Sequence, residues 1–246
     1  MDAVMRKTGA LVAKDFKDLV KNPVVFICCL FPLAFALMYK NMMGGAAEAS
    51  PEAAVHVTGF LLSTSLCITA GMVAMMVSAT ALAEEKEKHT LRTLMLANVG
   101  AGQILASRAL VSLGAIAVVD AACFFIVGGP MSSFAPYLVI GVVGSIPIVL
   151  VSLLVGLASR DQMTASLYIT PVFLVALAPM VSMMSEEVDN VVRYFPTGGM
   201  DSLVKLSVEG TLFTADAVAP IVITLVWIAL SLAAFMLLYK RLTRDN

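Results

Sequence analysis

The sequence predicts an all-α membrane protein with six transmembrane helices, and three observations lead to this fold class. Hydrophobic residues make up 60% of the 246 residues, and charged residues only 13%. The mean hydropathy is +0.94, which a soluble domain of this length cannot hide but a bilayer accepts. The apolar residues also form long runs without alternation, which excludes a β-barrel and leaves helices as the structure that satisfies its backbone in lipid.

Six runs approach the ~20 residues that a spanning helix needs. They cover residues 24–43, 58–82, 110–127, 137–157, 163–184 and 217–238. The first run is the weakest, because Pro32 lies inside it and Lys40 lies near its end. We therefore read residues 1–246 as one transmembrane domain.

The distribution of Lys and Arg predicts the orientation of the chain. Thirteen of these residues lie in the N-terminal arm, in the loops after spans two and four, and in the C-terminal tail; they are Arg6, Lys7, Lys14, Lys17, Lys21, Lys86, Lys88, Arg92, Arg108, Arg160, Lys240, Arg241 and Arg244. The other connections hold three, Lys40, Arg193 and Lys205. Because basic loops stay inside, both termini are expected in the cytoplasm of a cell-membrane protein.

The N-terminal arm, residues 1–22, is expected to be an amphipathic elbow helix on the membrane surface. Its apolar residues recur at helical spacing, namely Val4, Leu11, Val12, Phe16, Leu19 and Val20. Basic residues occupy much of the other face, which favours an anionic inner leaflet. Asn22-Pro23 then ends the helix. The arm is either a simple anchor or a helix that also contacts a cytoplasmic partner.

The segment between spans five and six, residues 185–216, is acidic and is interrupted by Pro196-Thr197-Gly198-Gly199. It contains apolar pieces on both sides of this turn signal. We read it as two short outer helices joined by a turn, with an ordinary exposed loop as the alternative.

The densest charge cluster of the chain begins at Glu84 in the stretch EEKEKHTLRTLM. Residues 79–97 hold good helix formers and neither Pro nor Gly, so the helix of span two is expected to continue through them. Glu84 and Lys88 have the i, i+4 order that supports a helix. Leu91, Leu94 and Met95 then form a short apolar stripe. This stripe either rests on the membrane or docks into a groove of another protein.

The stretch 85–108 resembles the signature region of ATP-binding-cassette type-two exporter permeases. The matching residues are Glu85, Lys86, Glu87, Thr90, Leu91, Leu94, Leu96, Gln103, Ile104 and Arg108. His89, Arg92 and Asn98 differ from the residues usual in that family. The resemblance implies a coupling helix seated on a nucleotide-binding subunit. The residues that it assigns to this interface are Glu85, Glu87, Lys88, Thr90, Leu91, Arg92, Leu94, Met95, Asn98, Gln103 and Arg108.

The partners follow from the same resemblance. The chain has no G-x-x-x-x-G-K-[ST] phosphate loop and no soluble segment long enough for a nucleotide-binding domain. The ATPase is therefore expected as a separate subunit in two copies, which binds the ATP and Mg²⁺, while this chain needs no cofactor. A second membrane subunit, most simply in a homodimer, is expected to complete the pathway. The net charge of −1 argues against nucleic acid as a partner.

The resemblance thus implies the non-catalytic membrane subunit of an ATP-driven exporter. Apolar spans that contain methionine favour a hydrophobic or amphipathic cargo, with a peptide preferred and a lipid or drug as the alternative. The candidate pathway residues are Met72, Met75, Met76 and Asp120. The structural alternative is helix packing for the methionines and, for Asp120, a protonated acid bonded to a Ser or Thr hydroxyl. An ion-gradient transporter or channel would need more intramembrane charge than Asp120. A membrane enzyme or metal site would need clustered His, Asp or Glu, which the spans lack.

Overall fold

The computed structural model describes residues 2–90 and 100–242, and all regular structure in these two ranges is helical. Six helical segments are long and apolar enough to cross a membrane, which confirms the predicted fold class. They are Val25–Ala47, Pro51–Glu87, Ala101–Val127, Met131–Ala158, Gln162–Ser182 and Ala215–Tyr239. We call them spans one to six.

The chain begins with α1 (Asp2–Lys21), the helix expected for the N-terminal arm. Asn22 separates it from α2 (Pro23–Ala47), which forms span one and contains Pro32. Proline is tolerated at the first turn of α2, where its missing N–H has no intrahelical partner in any case.

Span two consists of three helical pieces in direct succession. They are α3 (Pro51–Val73), a π-helical segment (Ala74–Thr80) and α4 (Ala81–Glu87). Ser50 caps the start of α3, because its hydroxyl accepts a hydrogen bond from the Ala53 N–H over 3.1 Å. The prediction that this helix continues without a break through residue 97 is wrong, since it ends at Glu87 and His89 has a positive φ of 57°.

Span three is α5 (Ala101–Val127), which begins nine residues before the predicted start at residue 110. The Gly100 N–H at its start donates to the Gln103 side chain over 2.9 Å, which satisfies a group that has no partner inside the helix. The helix ends at Gly128, whose φ of 85° closes the last turn in the left-handed region.

The remaining helices follow the predicted order. Span four contains α6 (Phe134–Ala158), and span five contains α7 (Gln162–Ala176), which a 3₁₀-helix (Ala178–Met184) extends. The two short helices expected between spans five and six are α8 (Glu186–Val192) and α9 (Gly198–Glu209). Most of span six is formed by α10 (Val218–Leu242).

Span two lies at the centre of the helix bundle. Within its most apolar 18-residue window 83% of the residues are buried, against 22% in spans one and five and 11% in span six. One core cluster packs around Val73, Ile116 and Leu153, and a second around Leu66, Phe124 and Tyr137. The poorly buried outer spans therefore surround a helix that is enclosed by this chain itself.

Candidate functional site: a charged junction beside the loop after span two

Three helices meet through ionisable side chains where the chain leaves span two and where it enters span three. Glu85 of α4 lies 2.8 Å from Arg108 of α5, measured from Oε1 to Nη2. The same carboxylate oxygen lies 2.8 Å from the Lys14 ammonium of α1. We call Lys14, Asp15, Glu85, Ser107 and Arg108 the charged junction.

Asp15 attaches α1 to the junction from its other side. One of its carboxylate oxygens accepts a hydrogen bond from the Ser107 hydroxyl over 2.6 Å. The other lies 3.4 Å from Arg108 Nη2. Arg108 thus holds two acids that belong to two different helices, and the planar guanidinium with its five donors is suited to such a bridge.

The junction is shielded from solvent. The side chains of Asp15, Arg108 and Glu85 are only 4%, 6% and 12% exposed. Two acids and two bases balance its formal charge, which is the arrangement that makes buried ions tolerable. Glu85 Oε2 and Arg108 Nε are nevertheless buried without a hydrogen-bond partner among the residues that the structure describes.

The ionic character of the junction is supported by Lys14. Partial burial lowers the pKa of Lys14, but its hydrogen bond to Glu85 and the charge of that carboxylate outweigh burial and leave the pKa above its usual value. Lys14 is therefore a cation at neutral pH, and the junction joins α1 to span two by charge-assisted contacts.

The side chains of Glu85 and Arg108, which the family resemblance assigned to an ATPase interface, point into the interior of the protein. Glu87 also makes an internal contact, because it accepts a hydrogen bond from the Gln162 N–H over 3.2 Å. Lys88 pairs with Glu84, and the Thr90 hydroxyl donates to the Glu85 carbonyl over 3.1 Å. Gln103 caps the start of α5, as described above. The structure gives these residues a role inside the chain, and their contact with an ATPase stays a prediction.

The apolar stripe of the predicted coupling helix cannot be placed in the same way. Leu91, Arg92, Leu94, Met95, Leu96 and Asn98 lie outside the described residues. The described chain stops at Thr90 and resumes at Gly100. The charged junction contains Glu85 of α4 and Arg108 of α5, the helices on either side of this loop, so it connects both flanks of the loop to α1.

Asp15 and Ser107 are members of the junction that the sequence reading did not single out. A signal for Asp15 was present, since Leu11, Asp15 and Leu19 follow one another at a spacing of four residues. This spacing places a carboxylate on the apolar face of α1. An acid on that face requires a buried partner, and the structure supplies Arg108 and Ser107.

Of the candidate pathway residues, Asp120 is completely buried. Neither of its carboxyl oxygens has a hydrogen-bond partner among the described residues. Its surroundings are close-packed, because a Cβ atom added to Gly141 would lie 2.7 Å from Asp120 Oδ2. This environment favours the packing role over direct contact with cargo.

The three candidate methionines lie in or beside the π-helical segment. Met72, Met75 and Met76 are each partly exposed, and the Thr80 hydroxyl donates to the Met76 carbonyl over 2.8 Å. π-Helical turns are rare and often mark functional positions. No group of three or more His, Cys, Asp or Glu side chains suited to a metal occurs among residues 2–90 and 100–242.

Six apolar helices define this protein as a multi-pass membrane protein. A family model described as "ABC-2 family transporter protein" matches residues 48–239, from the start of span two to the end of span six. The chain therefore belongs to the ABC-2 transporter family. Members of this family are membrane subunits, generally non-catalytic, that work with a separate ATPase subunit. No curated protein sequence matches the chain.

Proposed function

We propose that this chain is the transmembrane subunit of an exporter that is driven by ATP hydrolysis on a separate subunit. The observation that carries the proposal is the family match, which includes the loop between spans two and three. The charged junction supports it, because the junction ties both ends of that loop to α1. In this proposal both termini are cytoplasmic, and residues 91–97 form the helix that the ATPase contacts.

The mechanism requires the chain to transmit movement and to perform no covalent chemistry. ATP closes the two ATPase subunits against each other, and the helix at residues 91–97 passes this displacement into spans two and three. Because Glu85 and Arg108 bind each other, the ends of these two spans shift together. The cavity between two membrane subunits then changes from inward to outward access, as expected for a bundle with two states.

A second membrane subunit, in the simplest case another copy of this chain, completes the pathway. Spans five and six bury few of their own residues against this chain, and their exposed side chains include Leu167, Leu174, Leu225 and Leu237. Lipid covers part of this surface and the second copy covers the rest. With one ATPase for each membrane subunit, the assembly contains two of each.

The proposed cargo is a hydrophobic or amphipathic compound, with a short amphipathic peptide as the first choice. Support comes from the apolar composition of the spans and from the partly exposed methionines in span two, since methionine adapts to varied apolar partners. A lipid or a drug is the alternative cargo.

Co-purification tests the coupling. The tagged protein is isolated from its native host in a mild detergent, and an ATPase is expected to accompany it. Leu94→Asp should abolish that association, because a charge then interrupts the apolar stripe. Phe213→Asp is the matched control, since Phe213 is 95% exposed in the connection between spans five and six. The proposal fails if no ATPase appears and Leu94→Asp leaves transport intact.

A separate measurement addresses the cargo. The complex is reconstituted in vesicles, and its ATPase rate is compared with and without amphipathic peptides, lipids and drugs. Stimulation by peptides is expected. A flat response to peptides together with stimulation by drugs would leave the exporter class in place and reject the peptide.

A further inference from the structure

A cleft of about 670 Å³ opens beside the charged junction, between α1, the first turn of α2 and the C-terminal half of span two. It lies where α1 meets the start of span one. A bilayer changes from headgroups to acyl chains near the ends of its spanning helices. The volume is within the range of small-molecule sites. The side chains that line the cleft indicate the kind of ligand that it can bind.

One wall of the cleft is apolar. It is formed by Leu19 of α1, Val25 of α2, and Met76 and Val77 of the π-helical segment. An alkyl chain that enters the cleft therefore has apolar contacts along this wall.

The opposite part of the cleft is lined by charged side chains. Four cations line it, Lys14, Lys21, Lys88 and Arg108, against three acids, Asp18, Glu84 and Glu85. Lys14 and Lys88 are bound to carboxylates of the chain itself. Lys21 forms no ion pair among the described residues, so its ammonium group is available to a ligand.

Two buried polar atoms at the cleft also lack partners in the described part of the chain. They are Arg108 Nε, a donor on a side chain that is 6% exposed, and Glu85 Oε2, an acceptor on one that is 12% exposed. Buried polar atoms without a partner are uncommon in folded proteins and call for an explanation. A ligand with both an anionic group and a hydroxyl would satisfy the two atoms at once.

We propose that this cleft binds one anionic phospholipid whose headgroup carries hydroxyls, such as phosphatidylglycerol. Lys21 and Arg108 Nε bind the phosphate, and Glu85 Oε2 accepts a hydrogen bond from a headgroup hydroxyl. The start of an acyl chain lies against Leu19, Val25 and Met76. Lys21, which forms no ion pair among the described residues, supplies a positive charge for the single negative charge of the lipid. The site belongs to the permease itself and requires neither cargo nor ATPase.

Lipid retention tests the proposal on the full chain. The protein is exchanged into mixed micelles of phosphatidylglycerol and phosphatidylcholine and then washed, and retained lipid is counted by mass spectrometry. Selective retention of about one phosphatidylglycerol per chain is expected. Lys21→Gln should reduce that retention about fivefold, the loss expected for one basic contact with an anionic lipid surface. Equal retention of the two lipids would reject the headgroup assignment.

Lys17→Gln is the matched control, because Lys17 is an exposed lysine of α1 outside the cleft. It should leave retention unchanged. An equal loss in both variants would mean that the lipid senses the general charge of α1, and the cleft would be excluded as the site.

Two competitors distinguish other sources of the same chemistry. Soluble glycerol phosphate should fail to displace the lipid, because it lacks the acyl chain that the apolar wall contacts; displacement would make a free phosphate the ligand. An amphipathic peptide should also fail. Displacement by the peptide would assign the cleft to cargo and overturn the lipid proposal.

Discussion

Glu85 at the end of span two and Arg108 near the start of span three form a buried ion pair of 2.8 Å, and Asp15 of α1 shares the same guanidinium. The loop between spans two and three therefore connects two helices, α4 and α5, that are bound to each other by this ion pair. A pair of this kind gives little net stability compared with apolar packing, but the loss of one partner leaves a buried charge uncompensated.

Arg108→Met is expected to destabilise the protein by about 3–5 kcal/mol, because Glu85 and Asp15 then remain buried without their shared cation. Thermal unfolding in detergent provides the measurement. Lys17→Met removes an exposed cation from α1 and should cost little, since exposed ion pairs contribute about 0–1 kcal/mol.

The triple variant Arg108→Met, Asp15→Asn and Glu85→Gln separates charge from packing. It should recover part of the lost stability, because the two acids are now neutral. If Asp15→Asn and Glu85→Gln each lowered the stability further, the uncompensated charge would not be the cause of the loss in Arg108→Met.

Gly141→Ala should lower stability by about 1–3 kcal/mol, the usual cost of inserting an extra group into a packed core. The new Cβ would lie 2.7 Å from Asp120 Oδ2. Gly114→Ala is the control in the neighbouring span, since its added Cβ meets no atom within 4 Å. Adding Asp120→Ala to Gly141→Ala should remove most of the clash in a double-mutant cycle. Purely additive losses in that cycle would contradict a direct contact.

Gly156→Ala should lower the stability by a similar amount. Truncating a neighbouring side chain should not restore that stability. Its Cβ would meet the backbone carbonyl oxygen of Ala79 at 2.8 Å, within the π-helical segment of span two. Because a backbone atom cannot be shortened, spans two and four would have to separate. The unfolding midpoint, compared with that of Gly114→Ala, measures the effect. A wild-type midpoint would mean that the two spans can move apart freely.

Lys205→Met is expected to destabilise the protein by about 1–2 kcal/mol at neutral pH, a value reduced by the partial exposure of Lys205. Burial raises the pKa of Asp201, while the charge of Lys205 at 2.7 Å lowers it and so offsets part of the shift. For an acid with a raised folded pKa, stability is greatest when the group is protonated and falls as the pH rises through that pKa.

The penalty of Lys205→Met should therefore disappear in acid, where Asp201 is neutral and needs no cation. Unfolding midpoints across a pH series provide the test. Arg193→Met is the control, because the pair of Arg193 with Asp189 is exposed. It should show a small loss with little dependence on pH. A penalty for Lys205→Met that persists unchanged in acid would show that lost packing, and not charge, is responsible.

The helical class and the six spans could be predicted from the sequence, because lipid imposes a long apolar signature on each spanning segment. The ends of the helices were less predictable. Span three was expected to begin after Arg108, since a charged residue is normally assigned to the interface, but the partners of Arg108 allow it to be buried inside the helix. Span two ends at Glu87 although neither Pro nor Gly follows before Gly100.

At the candidate site, too, the sequence predicted some features and not others. Glu85 and Arg108 could be selected because they match a family pattern, but that pattern does not reveal what they contact. Asp15, which also contacts Arg108, is separated from Ser107 by 92 positions, so only the packing of α1 against α5 brings Asp15 and Ser107 together. The apolar position of Asp15 in α1 indicated a buried acid, yet it gave no information about the partner.

The π-helical segment Ala74–Thr80 has a further consequence for the direction in which Glu85 points. A π-turn accommodates one more residue than an α-turn, and each α-helical residue advances the chain by about 100° around the axis. If the same seven residues adopted the α-helical repeat, the extra residue would rotate α4 by about that angle. Glu85 would then face away from Arg108, although neither residue had been altered. The pairing of these two charges thus depends on the backbone geometry of a stretch that contains neither of them.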